Sequence, residues 1–424
     1  MKILCTGDIH IGRRSSRLPS GSDSRHHSCA AAWLRAVDLA VAEGVDVVAV
    51  TGDLVDQSNR FFEAFGPVEA GLRKLADAGI ETLMVAGNHD FDVLPRIVDN
   101  VSSGSVRLLG RGGEWERVTL ERAGGRLHFD GWSFSREHHP TSPLGHYTAA
   151  ADDAPVVVLL HADLDQPRSS YAPISTSELR RHPRTLFLLG HVHATRRLEE
   201  GGGANALYAG SPQAMDPAES GDHGVHLVDV GPGGFSTTFF PLSTVRYEAL
   251  EVAVDNVDRL EEVNQAALTR IRDRLAELGG EAHLRHAHFR IRLTGRTPLH
   301  RQLGDRLRDR LVELEVSVGR VVGTVDRLVV DTRPARDLVA LAEAGGVPAI
   351  LARIITGLDS DSGEWSSLIG ESRQAVREIE RASAFLPVLE SGSLADDEGA
   401  VRRELSRAAM RLLDEMLVQK EEES

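Results

Sequence analysis

At 424 residues the chain is too long for one ordinary hydrophobic core and predicts two or three domains. Its 41% hydrophobic and 26% charged residues are those of a soluble globular protein, and no apolar run approaches the roughly 18–20 residues of a membrane span. The net charge of −15 argues against a nucleic-acid partner only if charge is spread evenly, and two cysteines, Cys5 and Cys29, give no disulfide framework.

In chain order, Ile3–Thr6 reads as a strand, Cys29–Glu43 as a helix and Val45–Thr51 as a strand. Phe62–Ala78 reads as a helix with a possible kink at Gly66-Pro67, and Thr82–Ala86 as a strand. This alternation predicts parallel strands joined by right-handed crossovers. The continuous apolar runs Val156–Leu160 and Thr185–Leu189 read as buried strands. Residues 225–230 and 235–240 read as a hairpin that closes a first domain near residue 245. Residues 246–332 follow a strand, long helix (257–278), strand (287–293), helix (300–314), strand (320–330) pattern, which predicts a smaller α/β domain. The remainder, 333–424, reads as helical. The Met-Lys-Ile-Leu-Cys start reaches Gly7-Asp8 too early for a signal peptide, so a reduced, cytoplasmic setting is expected.

Seven potential metal ligands follow these strand-like runs: Asp8 and His10, Asp53, Asn88, His161, His191 and His193. Side chains that follow strands of one α/β sheet converge on one rim. The Asp-x-His and His-x-His spacings place two side chains on one face of an extended loop. Carboxylate, amide and imidazole donors without thiolate suit manganese, iron or zinc. Asp53 can bridge two ions, and two ions about 3.5–4 Å apart would clamp a phosphate and activate a water. The expected division puts Asp8, His10, Asp53 and His193 on one ion, and Asp53, Asn88, His161 and His191 on the other. His89, next to Asn88, is the expected general acid; Asp56 is placed to orient it, and Asp90 to tie down its own loop.

Gly7-Asp8-Ile9-His10, Gly52-Asp53-Leu54-Val55-Asp56, Gly87-Asn88-His89-Asp90, His161 and Gly190-His191-Val192-His193 resemble the five motifs of calcineurin-like metallophosphoesterases. Within that superfamily, Tyr208-Ala209-Gly210-Ser211-Pro212-Gln213 followed by Gly224-Val225, the smaller second domain and the helical end resemble the SbcD-type DNA repair nucleases. The resemblance implies an α/β, four-layer metallophosphoesterase-type sandwich with a smaller α/β capping domain and a helical C-terminal region. It also implies two Mn²⁺ ions, with Fe, Zn or Mg as substitutes, and exonuclease and endonuclease action on DNA. The implied partner is an SbcC-type SMC-like ATPase, the implied assembly a homodimer through helices after the second and third motifs, and the implied location the nucleoid. One departure is Asp56, where some members carry a histidine that serves exonuclease action.

Charge is segregated along the chain. Thr269–Arg310 holds eleven arginines against five acids, and 359–424 sixteen acids against eight basic residues. The arginine-rich stretch, Arg290 and Arg292 among it, suits DNA backbone contact or ion pairs on its own helices. Arg13, Arg14 and Arg17, in a loop with Asp23, either hold phosphates beside the metals or face solvent. Val401, Leu405, Ala408, Leu412 and Met416 form a stripe that packs on its own domain or on a partner coiled coil. Phe61, Phe62 and Phe65 with Val93, Leu94 and Ile97 serve a core or a dimer contact. Both cysteines read as inert. The competing function is a stand-alone metallophosphatase or small-molecule phosphodiesterase on the same metal core.

Overall fold

The computed structural model describes residues 1–18, 24–57, 62–101, 103–122, 125–150, 152–200, 204–231, 234–312, 314–359, 365–380 and 394–422. Asp23 and Phe61 lie outside the described residues, and the Phe62 side chain is not described. Two compact units emerge. The first comprises Met1–Val252, Asn264–Arg292 and Arg306–Val329; the second comprises Ala253–Val263, Leu293–Asp305 and Val330–Ser424.

The first unit is built on two six-stranded sheets. One contains β1 (Lys2–Thr6), β2 (Val47–Val50), β3 (Glu81–Met84) and β4 (Val106–Leu108), all parallel. Its order is completed by β11 (Gly224–Gly231), antiparallel to β1, and β12 (Gly234–Pro241), antiparallel to β11. The other runs β5 (Glu116–Arg122), β6 (Gly125–Trp132), β7 (Val156–His161), β8 (Thr185–Gly190), β10 (Ala204–Tyr208) and β9 (Arg196–Glu200). Its four central strands, β6, β7, β8 and β10, are parallel and its two edges antiparallel.

Both faces of each sheet are covered, which is why the strand sequences are continuously apolar. From β1, Ile3 and Cys5 point into a core shared with Val157, Leu159, Leu186 and Leu188 of the other sheet, while Leu4 points to the helices outside. Those helices are α1 (Cys29–Ala42), α2 (Phe62–Asp77) and α3 (Leu94–Val101). In α1 the buried positions Cys29, Ala32, Trp33, Ala36, Val37 and Ala40 recur at three- and four-residue spacing. Ser28 caps its start by accepting from Ala31 N at 3.2 Å. Pro67 is carried inside α2, and its carbonyl accepts from the Trp33 indole at 3.1 Å. The fourth layer, over the second sheet, is thin: α4 (Thr176–Leu179), a 3-10 turn at Pro143–His146 and loops cover Trp132, Phe134, Leu160 and Phe187.

A third sheet has the order β13 (Val245–Ala253), β14 (His286–Thr297), β16 (Val321–Pro334), β15 (Glu315–Val318), with helices α5 (Leu260–Leu278) and α6 (Leu303–Leu311) in the same stretch. At Gly323 an added Cβ would come within 2.8 Å of Leu275 and 3.0 Å of Phe289, so α5 lies hard against this sheet. The second unit ends in α7 (Leu338–Glu343), α8 (Gly346–Asp359), α9 (Ser366–Glu380) and α10 (Glu398–Glu422). The apolar stripe of α10 is used within that unit: Val401 and Leu405 pack with Leu358 and Ile369, and Leu413 with Leu351 and Ile355. Leu412, expected on the stripe, is 48% exposed. No helix among the described residues is long and apolar enough to cross a membrane.

The cysteines are buried and unpaired, and burial pushes the Cys29 thiol up to about 12. His226, on β11, is buried, its ring has only Thr195 Oγ1 as hydrogen-bond partner among the described residues, at 2.5 Å, and burial pushes its pKa down to about 4. Below its ordinary value of 6.5 the unfolded chain takes a proton that the fold refuses, so this histidine costs stability as pH falls from 6.5 towards 4. Between pH 7 and pH 5 the His226 contribution should fall by about 2 kcal/mol. Urea unfolding at both pH values should show a smaller acid loss in His226→Gln than in the parent; equal losses would remove this histidine from the acid sensitivity.

Candidate metal centre

The carboxyl ends of β1, β2, β3, β7 and β8 deliver the site. Asp8 and His10 follow β1, Asp53 follows β2, Asn88 and His89 follow β3, His161 ends β7, and His191 and His193 follow β8. The backbone is strained there: Asp8, His10 and Asp53 have φ of 49°, 52° and 49°, and His191 has 95°. Left-handed backbone is uncommon for such residues and persists only where the surroundings dictate it. Here the dictating contacts are loop-to-loop hydrogen bonds, Asp8 N to Gly52 O at 3.1 Å and His10 N to Asp53 O at 3.0 Å. Two glycines are required by close approach. A Cβ on Gly87 would sit 2.1 Å from Asp53 Oδ1, and one on Gly52 (φ +100°) would meet the His161 ring at 2.6 Å.

The side chains fall into overlapping trios whose ligand atoms lie within 4.8 Å of one another: Asp8, His10, His193; His10, Asp53, His89; and Asp8, Asp53, His161. Asp8, Asp53, His10 and His161 are almost wholly buried. Asn88 joins the last trio through Oδ1, 3.1 Å from His161 Nε2. His191 stands apart from the trios: its backbone N–H holds the Asp8 carboxylate at 2.8 Å, while its ring Nε2 faces Asp163 at 3.4 Å. His89 is the most open of the set, with its side chain 32% exposed, and its backbone N–H donates to Asp53 Oδ1 at 2.9 Å. Asp56 sits closer to His10 (Nδ1, 3.2 Å) than to His89 (Nδ1, 3.6 Å).

The hydrogen bonds behind the rings decide which nitrogen faces inward. His10 Nδ1 meets Asp56, His193 Nδ1 meets Glu219 Oε1 at 2.6 Å, and His161 Nδ1 meets the Thr51 carbonyl at 3.0 Å. Assigned from these acceptors, each Nδ1 carries the proton and each Nε2 turns a lone pair inward. His10 Nε2 and His193 Nε2 then face each other at 3.1 Å, and His161 Nε2 faces Asp53 Oδ2 at 3.3 Å. Lone pairs aimed at lone pairs and at buried carboxylates need a cation between them, and this donor set fits divalent ions.

The titration shifts tell the same story of uncompensated charge. Burial alone would raise the Asp53 pKa, but His161, then His10 and His89, overcome it and hold it well below the carboxylate range. Burial opposes protonation of His161, yet Asp53 and Asp8 carry its pKa up to about 9, so a proton on Nε2 and a cation compete for the same place beside Asp53. Burial also disfavours charge on His193, and the Glu219 hydrogen bond reverses the direction. His191 is pushed down by burial and by His161. Asp90 is raised to about 7 by burial and by Asp53. Its carboxylate does more than tie down its own loop: it accepts from Gly87 N and also from Leu54 N at 2.8 Å, joining two motif loops.

The residues that sequence reasoning missed are this outer ring: Glu219, Asp163 and the Thr51 carbonyl. Glu219 lies 26 residues from His193 in a loop without a periodic pattern. A carbonyl has no sequence signature at all.

The arginines expected to meet DNA are spread over the first unit. Arg13 lies 3.9 Å from Asp216, Arg14 and Arg292 are exposed, and Arg17 and Arg290 both reach the buried Asp326, at 2.5 and 3.8 Å.

Two parallel-centred sheets with a ligand-lined rim define a phosphoesterase-type α/β sandwich. Residues 1–195 match the family of calcineurin-like phosphoesterases, so the chain carries a calcineurin-like metallophosphoesterase domain, and that fold implies a dimetal centre. Residues 247–333 match the middle domain of metallophosphoesterase YhaO. The chain is 26% identical over 238 residues to the uncharacterised metallophosphoesterase YhaO of Bacillus subtilis, covering 51% of this chain and 53% of that one. It is 25% identical over 291 residues to the DNA double-strand break repair protein Mre11 of Sulfolobus acidocaldarius, covering 64% and 71%. To the protein of the same name from Haloferax volcanii it is 28% identical, covering 62% and 57%. Among solved structures, a dimetal phosphatase from Danio rerio aligns with 56% of this chain and 98% of its own, at 14% identity and a TM-score of 0.37.

Removing the carboxylate behind His193 should loosen the ring without touching a ligand. Glu219→Gln is expected to weaken divalent-metal binding, with manganese as the probe ion, about 10–100-fold with an unchanged far-UV spectrum. Equal affinity in a metal titration would show that His193 holds its orientation unaided.

Proposed function

We propose that this chain is a manganese-dependent phosphodiesterase acting on DNA, in the manner of a break-repair nuclease that works with an SMC-like ATPase. The observation that carries the hydrolytic part is the convergence of buried carboxylates and inward-facing imidazole lone pairs on one open rim. The likeness to Mre11 proteins supports DNA as the substrate.

In this reading Asp8, His10, Asp53, Asn88, His161 and His193 hold the ions, and His191 adds its ring nitrogen beyond the backbone hold it has on Asp8. Two divalent ions so held supply Lewis acidity towards a phosphate and lower the pKa of water. His89, partly open to solvent beside Asp53, is the group that can hand a proton to the leaving oxygen. Asp56 shares its carboxylate between His10 and His89, so it positions both rings. Arg13, Arg14, Arg17, Arg290 and Arg292 supply positive charge for the backbone of the substrate. An SbcC-type ATPase, a homodimer through α2 and α3, and partition of the chain into 1–245, 246–332 and 333–424 complete the proposal. Because the chain matches 53% of YhaO and 57% of the Haloferax protein, the activities of those whole proteins stand here as proposals.

The decisive assay compares linear duplex DNA, single-stranded DNA and a chromogenic phosphodiester with manganese. Duplex or single-strand cleavage should disappear in Asp53→Ala, and should fall at least 100-fold in His89→Gln with manganese affinity retained. Turnover of the small diester alone would move the protein to a stand-alone phosphodiesterase; equal loss of metal and activity in His89→Gln would make His89 a ligand. Separately, Arg290→Ala with Arg292→Ala should weaken DNA binding and flatten its dependence on log salt by about 2. An unchanged slope would take this strand off the DNA path.

A further inference from the structure

The second unit contains a cavity of about 360 Å³ bordered by Arg296, Arg333, Arg407, Arg411, Met410 and Asp414. Its floor is fixed. Arg296 donates to both oxygens of Asp414, at 2.7 and 3.2 Å, and to the Pro334 carbonyl at 3.1 Å. Arg336 approaches the same carboxylate at 3.5 Å. Asp414 is 4% exposed, and these two guanidinium groups occupy it. Its charge is therefore spent on the floor and does not neutralise the rim.

The rim is formed by Arg333 at the end of β16 and by Arg407 and Arg411 on α10. Arg407 and Arg411 stand four residues apart on one helix face, a spacing at which like charges repel. Arg407 has an exposed neighbour in Glu404 at 2.5 Å, an ion pair of the weak surface kind. No ion pair holds Arg333 or Arg411 among the described residues. The adjoining groove adds Glu404 and Glu415. At the rim and its groove three guanidinium groups, Arg333, Arg407 and Arg411, thus meet two exposed carboxylates, Glu404 and Glu415, and positive charge is in excess there. This occurs in a chain whose net charge is −15.

We propose that this cavity binds a compact phosphate group carrying two or more negative charges, from either a free pyrophosphate-bearing nucleotide or a phosphorylated nucleic-acid end. Guanidinium forks match phosphate oxygens in pairs, and a pre-set floor reduces the ordering that binding requires. One carboxylate of an acidic peptide would occupy one fork and leave the others repelling, whereas a doubly charged phosphate satisfies the rim at once. The volume lies at the small end of ligand pockets, which run from about 300 Å³, and so suits a phosphate group rather than a folded segment. The site uses only residues of the second unit and does not depend on the metal centre.

The test is calorimetric titration of the full-length, metal-stripped protein with pyrophosphate. Saturable binding is expected, weakened on the order of tenfold in each of Arg333→Ala and Arg411→Ala. Both are exposed positions, and far-UV spectra check their folding. Asp53→Asn should bind as the parent does. A second arm displaces bound pyrophosphate with a free nucleoside diphosphate and with short duplexes bearing a 5′-phosphate or a 5′-hydroxyl. Displacement by the phosphorylated duplex alone identifies a nucleic-acid end as the source, and displacement only by free nucleotide identifies a soluble ligand. Absence of saturable binding, affinity indifferent to both arginine variants, or loss of binding in Asp53→Asn would each overturn the proposal.

Discussion

The first unit depends on two carboxylates that have no business being buried, Asp8 and Asp53. Each lies at the end of a central parallel strand, closed off from water, and each is held in left-handed backbone. Burying an ionised carboxylate is costly unless hydrogen bonds and opposite charge compensate it. Asp8 receives the His191 amide, Asp53 the His89 amide, and imidazoles close in from three loops. The two sheets, the crossovers and the glycines Gly52 and Gly87 can be seen as the scaffold that makes this possible. Parallel strands bring five loops to one edge, and absent side chains let those loops touch.

The outer ring of acceptors turns a cluster into a directed site. Without Asp56, Glu219 and the Thr51 carbonyl, each histidine could present either nitrogen, and the rings would be free to rotate into solvent. With them, the Nε2 atoms point at one another and at Asp53. Asp90 extends the same logic to the backbone by tying the Gly52–Val55 loop to the Gly87–Asp90 loop. Its raised pKa reflects the cost of standing near Asp53, and the amide bonds from both loops offset that cost.

How much of this was legible in the sequence follows from what kind of force acts at each residue. Inner strands such as β7 and β8 could be read because burial on both faces demands unbroken apolar runs: they lie where Val156–Leu160 and Thr185–Leu189 put them, each extended by one residue. The edge strand β12 could be read from its hairpin turn, but β5 could not. β5 reads Glu-Arg-Val-Thr-Leu-Glu-Arg, with only Val118 and Leu120 buried, and polar edge strands carry too few apolar residues to announce themselves. The motif residues were visible because chemistry restricts their types and strand ends restrict their spacing. Glu219 and Asp163 were not, because an acceptor for an imidazole N–H can come from any loop that passes within 3 Å or so. The α10 stripe shows a subtler limit. Val401, Leu405 and Met416 face inward as expected, but in the middle of the helix the facing moves by one position, with Ala409 and Leu413 inward where Ala408 and Leu412 were expected.

Charge segregation has two different outcomes in this chain, and the difference is one of compensation. In the first unit, two arginines of the basic stretch meet carboxylates from outside it, while one of its own acids is taken up from outside. Arg274 pairs with Glu248 at 2.6 Å, Arg290 shares Asp326 with Arg17, and Arg246 reaches Glu281 at 2.7 Å. These pairs trim the positive charge of the stretch by little, so it stays basic in space as in sequence. In the second unit the order is reversed. The C-terminal region is acidic by composition, yet Asp414 is the acid that its arginines bury, and Arg333, Arg407 and Arg411 are left crowded at one cavity mouth. Net charge therefore misjudges both units. What attracts an anion is the charge that remains after the fold has made its own pairs, and that remainder is set by where a few carboxylates are buried.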